Sequence, residues 1–211
     1  MKDLPVFTCE AGIASLILHE VPYRREAYIL VRAAFGPQDT LLRECESFCR
    51  AAGAEKIYVG GEGDFSGRRI YARLLERSAP REMLNPCALT LRSAQELRSW
   101  SEAYNARFAA VPMAKTCDEA ERRALAASGQ ALWVCDGDKP VGLGRTEDDE
   151  ILCLAALERG RGAEVCRALA QRTVGTHVRV LCAEENTAAM RLYDRLGFDH
   201  GVVKSCFYFL K

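Results

Sequence analysis

The sequence predicts an α/β protein. Apolar runs with the spacing of strands alternate with capped amphipathic segments along most of the chain. One such run, 151–157, passes through Arg159-Gly160-Arg161-Gly162 into a helix, a strand-to-helix turn of the kind that receives anions. Another, 177–182, is followed by Asn186-Thr-Ala-Ala-Met-Arg-Leu-Tyr193-Asp-Arg-Leu-Gly197-Phe198, a helix with both of its ends written into it.

The elements of the first half follow in order. Residues 13–18 and 27–35 read as strands. Asp39 reads as the cap of a helix that Gly53 ends, and 56–60 as a further strand. Ile70-Tyr71-Ala72-Arg73-Leu74 then echoes Leu192-Tyr193-Asp194-Arg195-Leu196, with Asp64 placed before Tyr71 as Asn186 is placed before Tyr193. The first half therefore reads as a worn copy of the second, with Tyr71 packed against a helix as the plainer alternative. Between Phe35 and Asp39 no Arg/Gly loop is present, so this copy is expected to hold no phosphate-bearing ligand. Residues 80–86, with Pro at both ends, read as a linker. The expected domains are 1–85 and 86–211.

The second half is marked more clearly. Ser93-Ala-Gln-Glu96 is a capping box opening a helix to about Ala110, and Thr116-Cys-Asp-Glu119 opens another that Gly129 stops. Strands follow at 130–135 and 140–145 across an Asp136-Gly137-Asp138 turn. The glycine loop and its helix, the strand near 177–183, the Tyr193 helix and a β-rich run at 202–210 complete the chain.

Composition narrows the partners. Hydrophobic residues are 49% of the 211, enough for a packed core. Basic and acidic residues balance at 29 each, so a nucleic-acid surface is not expected. No apolar run reaches the length of a membrane span, and the start, with Asp3 and Pro5, lacks the pattern of a signal peptide. The ten cysteines form no C-x-x-C pair, and most stand in apolar segments. They read as small buried hydrophobes in a reducing cytoplasm, and no metal site is expected. Gly142-x-Gly144 and Gly160-x-Gly162 lack the third glycine of a dinucleotide fingerprint, and no G-K-S/T triphosphate loop is present.

The spacing N-x-x-A-x-x-L-Y-x-x-x-G-F at 186–198 resembles the last motif of the GCN5-related N-acetyltransferases, and 159–164 resembles their pyrophosphate loop, R/Q-x-x-G-x-G/A. The element order over 87–211 is also that family's. The resemblance implies a mixed, mostly antiparallel central sheet flanked by helices, here as a tandem of a degenerate half-copy and a full copy. It also implies transfer of an acetyl group from acetyl-CoA to an amine, of a small molecule or of a peptide or protein, in a monomer or homodimer. Leu154, Ala155, Arg159, Gly160, Arg161, Gly162, Ala163, Glu164, Asn186 and Tyr193 are then the coenzyme-binding residues. Tyr193 is the acid for the departing thiolate. Glu150, in the carboxylate cluster Glu147-Asp148-Asp149-Glu150, is the base for the amine. The acceptor is expected near 111–116, with Trp133 either beside it or in the core. Two departures stand out: the turn before Arg159 is about two residues short, and Glu164 occupies the place of a Gly or Ala, where a carboxylate repels phosphate. They keep open a second reading, a non-catalytic binding or scaffolding module on the same fold.

Overall fold

The structure, a computed structural model, describes residues 5–210; Asp3, cited above for the absence of a leader, lies outside them. The elements in chain order are β1 (Val6–Cys9), β2 (Gly12–Ile17), α1 (Val21–Arg24), β3 (Glu26–Ala34), α2 (Gln38–Ala51), β4 (Lys56–Gly61) and β5 (Ile70–Pro80). After a 3-10 turn (Arg81–Met83) come β6 (Thr90–Ser93), α3 (Leu97–Phe108), α4 (Glu119–Ser128), β7 (Leu132–Asp136), β8 (Lys139–Glu147) and β9 (Glu150–Ala156). The chain continues with α5 (Gly162–Ala170), β10 (His177–Ala183), α6 (Thr187–Arg195) and β11 (Val202–Leu210). From β6 onward this is the order expected from the sequence.

Two compact units divide the chain: residues 1–73 with 204–211, and residues 74–203. The first carries the strand order β1-β2-β3-β4-β11, with β3 and β4 parallel across the α2 crossover. Leu41, Leu42, Cys45 and Cys49 line one face of α2 and close the core over Ile29, Val31, Ile57 and Val59. The second carries β5-β10-β9-β8-β7-β6, with β9 and β10 parallel across α5. There Val165, Cys166 and Leu169 of α5 pack on the apolar face of the sheet. The close approach depends on glycine: a Cβ on Gly142 meets Val165 Cγ2 at 2.4 Å, and one on Gly144 meets Leu169 Cδ1 at 2.3 Å. These two glycines therefore serve helix–sheet packing. In a second core cluster Trp100 of α3 packs with Leu125 and Leu143, its indole N–H donating to Leu132 O at 3.0 Å.

The parallel pairs carry the same pattern, antiparallel partner, parallel strand, helix, parallel strand, in both units. Each unit also closes on a strand from the other half of the sequence: β11 beside β4 in the first, β5 beside β10 in the second, both antiparallel. The compact division thus falls at 73/74 and returns at 204, instead of the expected 85/86.

Local expectations fail at five places. Ser93 ends β6, and α3 begins after Glu96 with no side-chain cap, so the first capping box does not form. In the second, Asp118 caps α4 by accepting from Glu121 N at 2.8 Å. Pro37 stands at the N-cap of α2, leaving Asp39 in its first turn. Residues 70–74 are strand, so the echo of the Tyr193 helix is one of letters only; Tyr71 stacks on Tyr58 at 3.6 Å between centroids. The segment 80–86 is no free linker either, since Arg81 donates to Ala170 O and Gly175 O and to Thr173 Oγ1.

Candidate active site

A β-bulge creates the cavity. The antiparallel register between β8 and β9 shifts by one residue, from Arg145↔Cys153 to Thr146↔Ile151, leaving Leu152 as the extra residue. A bulge bends its strand. The parallel pairing of β9 with β10 stops at the same point, after Glu150↔Arg179 and Ile151↔Val180, although both strands continue. Beyond it they part, and a cavity of about 1000 Å³ opens between them. In the first unit the corresponding bulge falls at Arg32, after six paired residues of β3 and β4, and these strands stay together along their length.

Eight of the expected site residues line this one cavity: Glu150, Leu154, Ala155, Arg159, Gly160, Gly162, Asn186 and Tyr193. Arg161, Ala163 and Glu164 do not. Leu154 and Ala155 lie on the part of β9 that has lost its neighbour, where the open backbone edge can pair with an extended ligand.

The loop at the end of β9 leaves backbone donors open. Gly160 sits at φ +88 with nothing within 4 Å of a Cβ position, so the backbone is open to a ligand. Helix α5 starts at Gly162, and its first internal bond is Val165 N to Arg161 O. The N–H groups of Gly162, Ala163 and Glu164 have no acceptor among the described residues, and they stand at the positive end of the helix dipole. Arg159 is exposed and makes no ion pair among the described residues. Arg161 is committed elsewhere: Nη2 contacts Asp136 Oδ2 at 3.0 Å and Glu164 Oε2 at 2.9 Å, and Nη1 lies 3.9 Å from Glu158 Oε2.

Helix α6 presents Tyr193 to the cavity. Asn186 Oδ1 accepts from Ala189 N at 3.2 Å at its start. At its end Gly197, at φ +80, donates to Asp194 O, and Phe198 N donates to Tyr193 O at 3.0 Å, a complete Schellman stop. Burial first, then the nearby thiols of Cys166, Cys182 and Cys153, push the phenol well above the ordinary tyrosine value, against the opposing charge of Arg77. Tyr193 is therefore a neutral phenol across physiological pH, able to give a proton and unable to act as a base.

At the far end of β9 the carboxylate cluster separates by role. Glu147 accepts from Gln130, Asp148 makes the turn at φ +47, and Asp149 holds Arg179 through two bonds of 2.7 Å. Glu150 is the member that lines the cavity. Burial raises its pKa above the ordinary glutamate value; Arg179 opposes this, while Glu76, Asp149 and Glu147 add to it. Asp149 and Glu76 both engage Arg179, which limits the neutralisation of Glu150.

Two features were not anticipated. Arg77 of β5 is fully buried: Nη2 contacts Asp194 Oδ1 at 2.7 Å and Phe198 O at 3.0 Å, Nη1 reaches Met190 O at 3.3 Å, and Nε donates to Asp199 O. Its guanidinium lies 6.0 Å from the Tyr193 ring centre. The signal was an Arg at an inward position of the alternating run Leu75-x-Arg77-x-Ala79. Cys153 and Cys182 are also among the residues that line the cavity. Of the expected acceptor loop, 111–115 reach the cavity, whereas Trp133 packs with the Trp100 cluster. Among the described residues no cluster of His, Cys, Asp and Glu could hold a metal, and no helix is long and apolar enough to cross a membrane.

No family model matches the chain, and no curated protein matches it. Solved structures do. A functionally unknown conserved protein from Staphylococcus epidermidis superposes with a TM-score of 0.61 at 14% identity, over 99% of this chain and 94% of that one. A GCN5-related N-acetyltransferase from Kribbella flavida gives 0.57 at 14% identity, over 99% and 90%. A tandem protein of the same family, from the clavulanic acid biosynthesis pathway, gives 0.51 at 12% identity, over 94% and 78%. On these superposed neighbours, this chain has the fold of the GCN5-related N-acetyltransferases.

Proposed function

We propose that the chain is an acetyl-CoA-dependent N-acetyltransferase acting on an amine. The observation that carries this reading is the one cavity in which the parted edge of β9, Gly160 and Gly162 at the start of α5, Glu150 and Tyr193 meet. The residues suit the coenzyme: Leu154 and Ala155 offer backbone to its amide-bearing arm, and Gly160, Gly162 and the start of α5 offer donors to its pyrophosphate, with Arg159 adding charge. When bound, acetyl-CoA supplies an activated acetyl thioester.

The protein's own groups manage the protons. An amine arrives protonated at neutral pH, and Glu150, directly or through one water, accepts its proton. Its raised pKa makes it a better base than an exposed glutamate. Tyr193, held neutral, donates to the departing thiolate. Residues 111–115 border the acceptor end. The organisation as a degenerate first copy and a competent second copy belongs to the same reading, supported by the unbroken β3–β4 pair where the cavity would otherwise form. All ten cysteines are free, which suits a reducing cytoplasm.

Incubation with acetyl-CoA and a panel of small amines and amino-terminal peptides, read by product mass, tests the activity. An acetylated product that disappears with Tyr193→Phe supports it. Coenzyme binding without any product across the panel favours the alternative, a binding module.

A further inference from the structure

We propose that the acceptor is a small primary monoamine carried on an aromatic group, and that Leu181 sets this preference. The inference rests on the transferase reading above and names its substrate class.

The two faces of the sheet line different halves of the cavity. Val178, Val180 and Cys182 of β10, with Leu154 and Ala156 of β9, belong to the core under α5 and α6, the helices that carry Gly162 and Tyr193. Cys153 and Ala155 pack on the opposite face with Trp100, Tyr104 and Phe108 of α3. Side chains alternate along a strand, so Arg179, Leu181 and Ala183 stand on this α3 face. Residues paired across strands share a face. Glu76 and Leu74 of β5 therefore join them, opposite Leu181 and Ala183, and Glu150 joins them opposite Arg179.

The α3 half is apolar. Leu181 is 45% exposed although β10 lies inside the sheet between β5 and β9, and it lines the cavity. A large apolar side chain left open within a cavity favours an apolar ligand. Trp100, Tyr104 and Phe108 form a stack with centroids 5.3 and 4.5 Å apart, and its last two rings line the same space. Such rings take a further aromatic group in offset or edge contact. The loop that borders them is fixed at its end by Asn105, which accepts from Cys117 N at 2.8 Å and donates to Cys117 O at 3.1 Å.

The charges suit one ammonium. Glu150 is the carboxylate lining this half. Glu76 and Asp149 on the same side are held by Arg179, at 3.4 and 2.7 Å. The cations of the lining are engaged too, Lys115 with Glu121 and Arg107 with Leu157 O. A polyamine would leave its second ammonium desolvated without a carboxylate, and an amino sugar would bury unpaired hydroxyls. In the transfer the amide C–N bond forms as the thioester C–S bond breaks. The ammonium gives its first proton to Glu150. Its second, released as the amide forms, restores Tyr193 after the thiolate has taken the phenol proton.

Steady-state acetylation by the intact chain at saturating acetyl-CoA, read by product mass, compares phenethylamine, putrescine and glucosamine. kcat/KM for phenethylamine should exceed that for each of the others by about tenfold or more. Leu181→Asn should raise KM for phenethylamine about tenfold with kcat within about twofold, and should keep the wild-type thermal stabilisation by acetyl-CoA. Leu181→Met should keep the wild-type KM. An equal or greater kcat/KM for either competitor, or an unchanged KM in Leu181→Asn, overturns the proposal and leaves the transferase reading standing. No product from any of these amines, with stabilisation by acetyl-CoA intact, overturns the proposal and leaves coenzyme binding standing. No stabilisation by acetyl-CoA overturns both.

Discussion

Arg161 and Glu164 form an ion pair across the first turn of α5, with Nη2 2.9 Å from Oε2. The same nitrogen holds Asp136 of the β7–β8 turn. This pair changes the meaning of both residues. From sequence alone Arg161 is a phosphate ligand and Glu164 a phosphate repellent. In the structure they neutralise each other, and Arg161 clasps the loop to the neighbouring hairpin. The cradle is left with backbone N–H groups and Arg159.

Glu164→Ala should accordingly leave acetyl-CoA affinity within about twofold, because the repulsion it removes is already offset by Arg161. Titration at low and at physiological salt checks it, since an unpaired Glu164 would instead give a clear, salt-dependent tightening on removal.

Tyr193→Phe should keep coenzyme affinity and lower turnover by ~10²-fold or more, the scale of losing a general acid. The ring packs on Phe198 with centroids 5.1 Å apart, and the substitution preserves that contact. Equal kcat in both proteins would remove Tyr193 from the chemistry.

As the proposed base, Glu150 would work only when ionised, and its pKa is raised by burial. The acid limb of kcat/KM should therefore lie above the ordinary glutamate value, with activity lost as pH falls through it. Glu150→Gln should remove the limb and lower the plateau by ~10²-fold. Tyr193 should add no alkaline limb below pH 10, since its phenol is shifted upward. A limb that persists in Glu150→Gln assigns the base elsewhere.

Arg77→Met should destabilise the fold by on the order of 3 kcal/mol in urea unfolding, because the carbonyls of Met190, Phe198 and Asp199 lose their donor. A change below about 0.5 kcal/mol would mean that the α6 terminus holds without it.

How much of this was legible in the sequence depends on the range of the interactions. The 186–198 helix was readable because its signals are local: an Asn whose side chain caps three residues on, a Gly at positive φ, a Phe that folds back on Tyr193. The loop at 159–162 was readable for the same reason. Ser93 misled because a capping box is a preference, and pairing with β7 drew Ser93 into a strand. Leu152 carries no mark of a bulge, which arises only from the mismatch between β8 and β9. The exchange of β5 and β11 between units is likewise a matter of long-range pairing. Arg161 illustrates the limit most clearly: its i,i+3 pair with Glu164 is local, whereas its contact with Asp136 of the β7–β8 turn depends on three-dimensional proximity.

The central claim is that the cavity between β9 and β10 holds acetyl-CoA. Thermal unfolding of the intact chain with increasing acetyl-CoA tests it most directly. A saturable rise in Tm is predicted, corresponding to about 2.7 kcal/mol of stabilisation at a hundredfold excess over Kd. An unchanged Tm at millimolar acetyl-CoA would contradict it.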